Sequence, residues 1–208
     1  PETIDAIAGA LARLGLAVER IGHARQLAGR LTAGDRWDLV FNFCEGLHGF
    51  GRESLVPALL DAWQIPYVFS DPLACAVTLH KGVAKHVVRG HGLATPDFAV
   101  VESAEEARHL KLRFPLFAKP VAEGTGKGIS TASRAGSTEE LVAVCGTLLA
   151  RHRQPVIIEE FLPGREFTVG LVGTGAEAGA IGTMEVHLGP KADPGVYTFD
   201  NKEHWEGR

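Results

Sequence analysis

Lys119 closes a short apolar run, FPLFAKP, and a glycine-rich stretch, EGTGKGIS, follows within a few residues. About one helix later the chain reads VIIEEFLPGREF, an apolar run that ends on two carboxylates, Glu159 and Glu160. These residue types in this order suit a nucleotide. Gly124, Gly126 and Gly128 let the backbone approach an anion and offer successive N–H groups to phosphate oxygens. Lys119 supplies a point charge beside them. An acidic strand end next to apolar side chains can hold adenine and ribose.

The glycine stretch is neither a Walker loop nor a dinucleotide fingerprint. G-x4-G-K-[ST] fails because Gly128 follows Lys127 and position 121 is Val, and G-x-G-x-x-G does not fit either. Taken alone, such a loop is a tight hairpin as readily as an anion cradle. The placement of Lys119 between FPLFA and Pro120 favours a cation at the edge of a buried sheet. Lys81 begins a helical run with Lys85 one turn on, and the default reading of that pair is a solvated face.

Neighbours on a strand point to opposite faces, so Glu159 and Glu160 cannot act as a facing acid–base pair. One is expected to meet a ligand and the other solvent. Backbone groups of EFLPG can pair with an adenine edge, and Glu166 can reach ribose hydroxyls. An exposed acidic hairpin accounts for those residues equally well. His48, in the glycine-rich loop EGLHGFG, is placed to bind a carboxylate or orient a substrate. His86 and His91, five apart, are poorly spaced as a helical metal pair. Asp71, Asp97 and Asp193 read as caps and turns. No Ser/His/Asp or Cys/His arrangement is evident.

The elements that must position these groups alternate along 208 residues, 45% of them apolar and 22% charged. A net charge of −4 gives no basic field of the kind that drives nucleic-acid binding. No apolar run approaches a membrane span, and no basic region with an apolar core opens the chain as a signal would. Three widely spaced cysteines, Cys44, Cys75 and Cys145, read as reduced core thiols of a cytoplasmic protein. The expected order is an amphipathic helix stopped at Gly15, a strand Ala17–Ile21, a helix around Arg25–Ala33, and a buried strand Trp37–Phe43. The loop Glu45–Gly51 and a helix Glu53–Trp63 follow. This βα alternation implies a parallel sheet with ligands bound beyond the strand ends, where Glu45–Gly51 would sit.

Ser70 and Asp71 then cap a helix with Pro72 in its first turn, and a further helix spans Lys81–His91. Past Pro96 the character changes. Strands are expected at Phe98–Val101, Leu116–Lys119 and Val156–Glu160, with antiparallel strands at Phe167–Val172 and Ala180–Val186. Capping boxes stand at Ser103-x-x-Glu106 and Ser137-x-x-Glu140. The chain is thus α/β, becoming α+β in its second part, with a domain over residues 1–79 and another over 80–208. An opening helix without a preceding strand and a final EHWEGR without a closing element suggest a piece lacking both ends.

Together these pieces resemble the ATP-grasp superfamily and, within it, the D-alanine–D-alanine ligase family. VFNFCEGLHGFGRESLVPALLDAWQIPYVFSDP is similar to the family's amino-terminal substrate domain, and LHKGVAKHVVRGHGLATP to the helix that opens the ATP-grasp part. FAKPVAEGTGKGIS, IIEEFLPGREFTV and YTFDNK follow in family order. The resemblance implies a Rossmann-like pre-ATP-grasp domain whose first strand precedes residue 1, followed by an ATP-grasp domain truncated at its C-terminal side. It assigns ATP phosphates to Lys81 and Lys119, and the mobile loop over them to Glu123, Gly124, Thr125, Gly126 and Lys127. It assigns adenine to Glu159, Glu160, Phe161 and Leu162, and ribose to Glu166. His48 resembles the histidine near the first D-alanine, while Tyr197 and Lys202 fall in the segment that shields the site and contacts the γ-phosphate.

The implied reaction joins two D-alanines through an acyl phosphate, with ATP and Mg2+, in peptidoglycan synthesis. The family's metal ligands would lie beyond Arg208, so these 208 residues are expected to bind ATP weakly and not to turn over. Thr125 stands where the family usually has serine, and Glu203 where a tyrosine is expected. These departures keep two alternatives open: a related ligase with another amino-acid or peptide substrate, and a non-catalytic ATP-binding module. The family is commonly dimeric, which makes a homodimer an expectation too.

Overall fold

The structure is a computed structural model that describes residues 2–192, 196–198 and 201. It divides into two compact units, Pro1–Ala76 and Val77–Arg208.

The first unit holds α1 (Glu2–Arg13), α2 (Ala24–Ala33) and α3 (Leu55–Ala62), and α4 (Pro72–Leu79) begins in it. Its core joins Leu27 and Leu31 of α2 to Val40, Val56, Leu60 and Ile65. His23 caps α2, and Gly34, at φ 101°, ends it by returning its N–H to Arg30 and Leu31 carbonyls. Asp71 caps α4, accepting the Ala74 N–H at 2.7 Å.

The parallel sheet expected here is not formed among the described residues. Ala17–Ile21 and Trp37–Phe43 are irregular, and one parallel bridge, Val40 to Tyr67, stands in place of a ladder. A strand exists only when a neighbour takes its backbone groups. Val40 has such a partner, donating to the Pro66 carbonyl at 2.9 Å and accepting from Val68 at 3.0 Å. The Ala17–Ile21 stretch is held by side chains instead. Glu19 accepts from Trp37 Nε1 at 2.9 Å and from Arg30 at 2.5 Å. Without a sheet edge, the positional argument for His48 loses its basis.

The second unit opens with α5 (Lys81–Gly90), capped by His80, whose ring accepts the Val83 N–H. Four strands follow: β1 (Phe98–Val101), β2 (Leu116–Pro120), β3 (Arg134–Ala135) and β4 (Val156–Glu160). They form one antiparallel sheet in the order β1-β4-β2-β3. Helices α6 (Ala104–Arg108) and α7 (Thr138–His152) complete it, and β5 (Glu166–Val172) pairs with β6 (Gly179–Val186) in a separate two-stranded sheet. Ser103 and Ser137 cap α6 and α7 as expected, each accepting the N–H three residues on.

The strand period of two sorts the sheet's faces. Leu116 and Ala118 of β2 and Val156 and Ile158 of β4 pack with Leu141, Cys145 and Leu148 of α7. The alternate residues belong to the other face. There Ile157 packs with Leu79, Val121, Ala122 and Phe98. Cys145 is the core thiol. Cys44 and Cys75, expected in the core, are half-buried, and none of the three cysteines forms a disulfide among the described residues.

Candidate active site

Lys119 sits on the sheet face opposite α7, alternating with buried Ala118 and Pro120. In register it faces Ile157, while Glu159 faces Phe117. The two therefore meet diagonally, and Lys119 Nζ donates to Glu159 Oε1. The second oxygen, Oε2, lies 3.0 Å from Lys85 Nζ. Lys85 also donates to Thr95 Oγ1 at 2.5 Å and lies 5.4 Å from the Phe98 ring centroid. One carboxylate thus serves two ammonium groups on the α5 side of the sheet. Burial would raise the Glu159 carboxyl, and the neighbouring charges of Lys119 and Lys85 outweigh that, holding it below the ordinary value.

Glu160, one residue on, points the other way. It takes two bonds from the guanidinium of Arg113, at 3.0 and 3.2 Å, and is ionised more readily for it. Adjacent carboxylates are split between the faces, as the strand period requires. Neither is simply solvated, since each side chain is mostly covered.

The glycine turn begins where β2 ends. Lys81 ties down its root: Nζ donates to the Glu123 carbonyl at 2.5 Å, and the Lys81 backbone N–H donates to Val121 at 3.0 Å. The default of a solvated face is therefore corrected for Lys81 and Lys85 alike. An i, i+4 spacing put both on one side of α5, where each is half-buried, Lys81 against the backbone that follows β2 and Lys85 against Glu159 of β4. Gln154 adds a second tie, accepting the Ala122 N–H and donating to Glu123 Oε1, both at 2.7 Å. Nothing in the sequence pointed to Gln154.

Within the turn, Lys127 N–H donates to Gly124 and Ile129 N–H to Gly126, both at 3.0 Å. Thr125, Gly126 and Gly128 all have positive φ, at 52°, 82° and 79°. Left-handed backbone is costly for the β-branched Thr125. A Cβ on Gly128 would lie 2.6 Å from Pro120 Cγ and 2.8 Å from His152 Nε2. That imidazole nitrogen is buried with no hydrogen-bond partner among the described residues, and burial lowers its affinity for a proton while Glu123 opposes the shift.

The structure thus forms two bonded groups, Lys81 and Gln154 on Glu123 at the root of the glycine turn, and Lys119 and Lys85 on Glu159, with α5 contributing a lysine to each. Phe161 follows, its N–H given to the Pro115 carbonyl at 2.9 Å and its ring beside Phe117 and Arg134. Leu162 is exposed. Glu166, also exposed, begins β5 opposite Val186. His48 lies in an irregular, exposed loop of the first unit. Tyr197 is half-buried. Lys202, together with Asp193 and Glu203, lies outside the described residues.

A family model described as "D-ala D-ala ligase C-terminus" matches residues 87–206, more than half of the chain. The chain belongs to that family. It is 33% identical over 203 residues to a D-alanine–D-alanine ligase of Aquifex aeolicus, covering 97% of this chain and 64% of the relative. It is 34% identical over 181 residues to that of Bordetella petrii, covering 86% and 52%. The chain spans about half the length of most of the curated relatives it matches.

Solved structures agree at the level of fold. The D-alanine–D-alanine ligase from Coxiella burnetii superposes with a TM-score of 0.56 at 24% identity, covering 72% of this chain and 42% of that one. The D-alanyl-alanine synthetase A from Vibrio cholerae gives 0.60 at 16%, covering 73% and 46%. The chain accordingly shares its fold with these ligases over about three quarters of its length. Among the described residues no helix is long and apolar enough to cross a membrane.

Proposed function

We propose that the Lys81–Lys119–Glu159 neighbourhood binds the phosphates and base of ATP, and that the protein of which it is part joins two D-alanines. The observation that supports this most directly is the shared carboxylate. Three charges, two positive and one negative, sit mostly buried together, and a few residues beyond Lys119 the chain enters a turn with positive φ at Thr125, Gly126 and Gly128. That leaves a net positive charge where an anion can approach backbone N–H groups. Lys81, Lys119 and the Gly124–Gly128 turn take phosphates on this reading, with Thr125 and Lys127 in the closing loop. The backbone of the Glu159–Leu162 edge takes adenine, and Glu166 the ribose.

In the reaction a carboxylate oxygen of the first D-alanine attacks the γ-phosphorus, and the bond from that phosphorus to the ADP oxygen breaks. The amine of the second D-alanine then attacks the acyl carbon, phosphate leaves, and the amine gives up its proton. Chemistry of this kind is mainly positioning and charge neutralisation, which lysines and turn amides supply. By the same resemblance His48 is read as the histidine near the first D-alanine, and Tyr197 and Lys202 as part of the segment that shields the site and contacts the γ-phosphate. The expected Mg2+ has no ligand set among the described residues, where no three His, Cys, Asp or Glu side chains gather. The reading therefore stands on the lysines.

The test is ATP titration calorimetry on K119M. Loss of one charge-assisted contact, worth roughly 1.5–3 kcal/mol, is expected to weaken binding by a factor of ten or more. Unchanged affinity would place the phosphates elsewhere. ADP release by the intact protein with D-alanine, and none with L-amino acids, would separate D-alanine ligation from joining another amino acid.

A further inference from the structure

We propose that Lys85 is a positioning residue for Lys119, acting through the carboxylate they share. The inference rests on Lys119 as a phosphate contact. Lys85 lies one turn beyond Lys81 on α5, on a different element from either of its partners, Glu159 on β4 and Lys119 on β2. Thr95 and the face of Phe98 hold its ammonium, and its side chain is only 15% exposed. Each oxygen of Glu159 has one lysine: Oε1 has Lys119 and Oε2 has Lys85.

This division sets how much of the Lys119 charge remains for an anion. With Lys85 present, Glu159 is anchored on α5 and neutralises Lys119 only in part, so the three groups carry a net charge of +1. Without Lys85 the carboxylate belongs to Lys119 alone. The remaining pair is neutral, and an incoming phosphate must break it before it can bind. Lys85 therefore keeps Lys119 available without touching the nucleotide itself. Because Lys81 on the same helix holds the Glu123 carbonyl, α5 sets both the turn's root and the lysine beside it.

ATP affinity of the intact protein, measured by titration calorimetry, tests this. K85M is expected to raise the Kd roughly tenfold, the effect of losing one charged hydrogen-bond partner. K85R is expected to restore most of it. The decisive comparison is K85M/E159Q. Removing the carboxylate's charge frees Lys119 again, so the double variant should bind ATP more tightly than K85M. A purely structural role would leave the double variant as weak as K85M or weaker, and that result would overturn the proposal. K85Q keeps the stem and a donor to Glu159 but no charge, and serves the same comparison if K85M does not fold. Weakened binding by K119M with wild-type binding by K85M would sink this inference and leave the ATP site standing. Wild-type binding by K119M would sink both.

Discussion

Lys119 and Glu159 meet diagonally across the β2–β4 ladder, two residues out of register, with Ile157 and Phe117 as their direct opposites. Diagonal neighbours on one face of an antiparallel pair are within reach of long side chains. A strand-end carboxylate would ordinarily be left in water, yet this one is 14% exposed and faces two lysines. Its removal should therefore be felt in stability.

For E159A we expect destabilisation of roughly 3 kcal/mol, toward the lower end of what breaking a buried charge group costs, because some solvent reaches the site. E159Q, which keeps the shape and loses the charge, should cost less. The midpoint of urea denaturation checks both. A change below about 0.5 kcal/mol for E159A would mean that the array is effectively solvated.

The pH dependence has a defined sign. The Glu159 carboxyl is held below 4.5 in the folded protein, so the folded state favours its ionised form. Its contribution is fully present above pH 4.5 and is lost as pH falls through the lowered folded value. The stability difference between wild type and E159Q should thus be constant near neutrality and shrink in acid. Denaturation midpoints at pH 7, 5 and 3.5 would show it. A difference that grows in acid would contradict the shift.

Gly128 and Gly124 should respond differently to alanine. G128A puts a Cβ against Pro120 and His152 at a φ of +79°, and should cost roughly 1–3 kcal/mol. At Gly124 a Cβ meets nothing within 4 Å, so G124A should leave stability within about 0.5 kcal/mol. Any effect of G124A would then appear in ATP affinity. Thermal melting of the two variants separates them.

Thr125 offers the converse. Its φ of 52° suits glycine better than a β-branched residue, and T125G should stabilise the folded turn by about 1 kcal/mol. The added freedom of the unfolded chain offsets part of this. A loss of stability larger than that offset would show that the threonine side chain holds the turn.

Burial pushes the Cys145 thiol up to about 11, while Cys44 and Cys75 are half-buried. Because the thiolate is the reactive form, Cys145 should be the last of the three to react with a disulfide reagent at pH 8. Its reaction should require denaturant. Mass mapping of the modified thiols reads the order directly.

Several elements were legible from local pattern. Phe98–Val101 and Val156–Glu160 were read to the residue, and Ser103, Ser137 and Asp71 cap helices as their types suggest. These features depend on near neighbours in the chain, so the chain alone carries them. Ala17–Ile21 and Trp37–Phe43 show the limit. Both have the apolar or β-branched content of strands, but a strand also needs an adjacent backbone, and composition does not reveal one.

The site divides along the same line. The sequence by itself determined the ingredients and their directions: a lysine ahead of a glycine turn, two carboxylates forced to opposite faces by the strand period, and two lysines on one side of α5. Only the tertiary structure decided who meets whom. It gave Glu159 to Lys119 and Lys85, Glu160 to Arg113, and the Glu123 carbonyl to Lys81 and its side chain to Gln154. Those partners lie tens of residues apart in sequence. Their pairing follows from sheet order and register, which are long-range properties that no local spacing encodes.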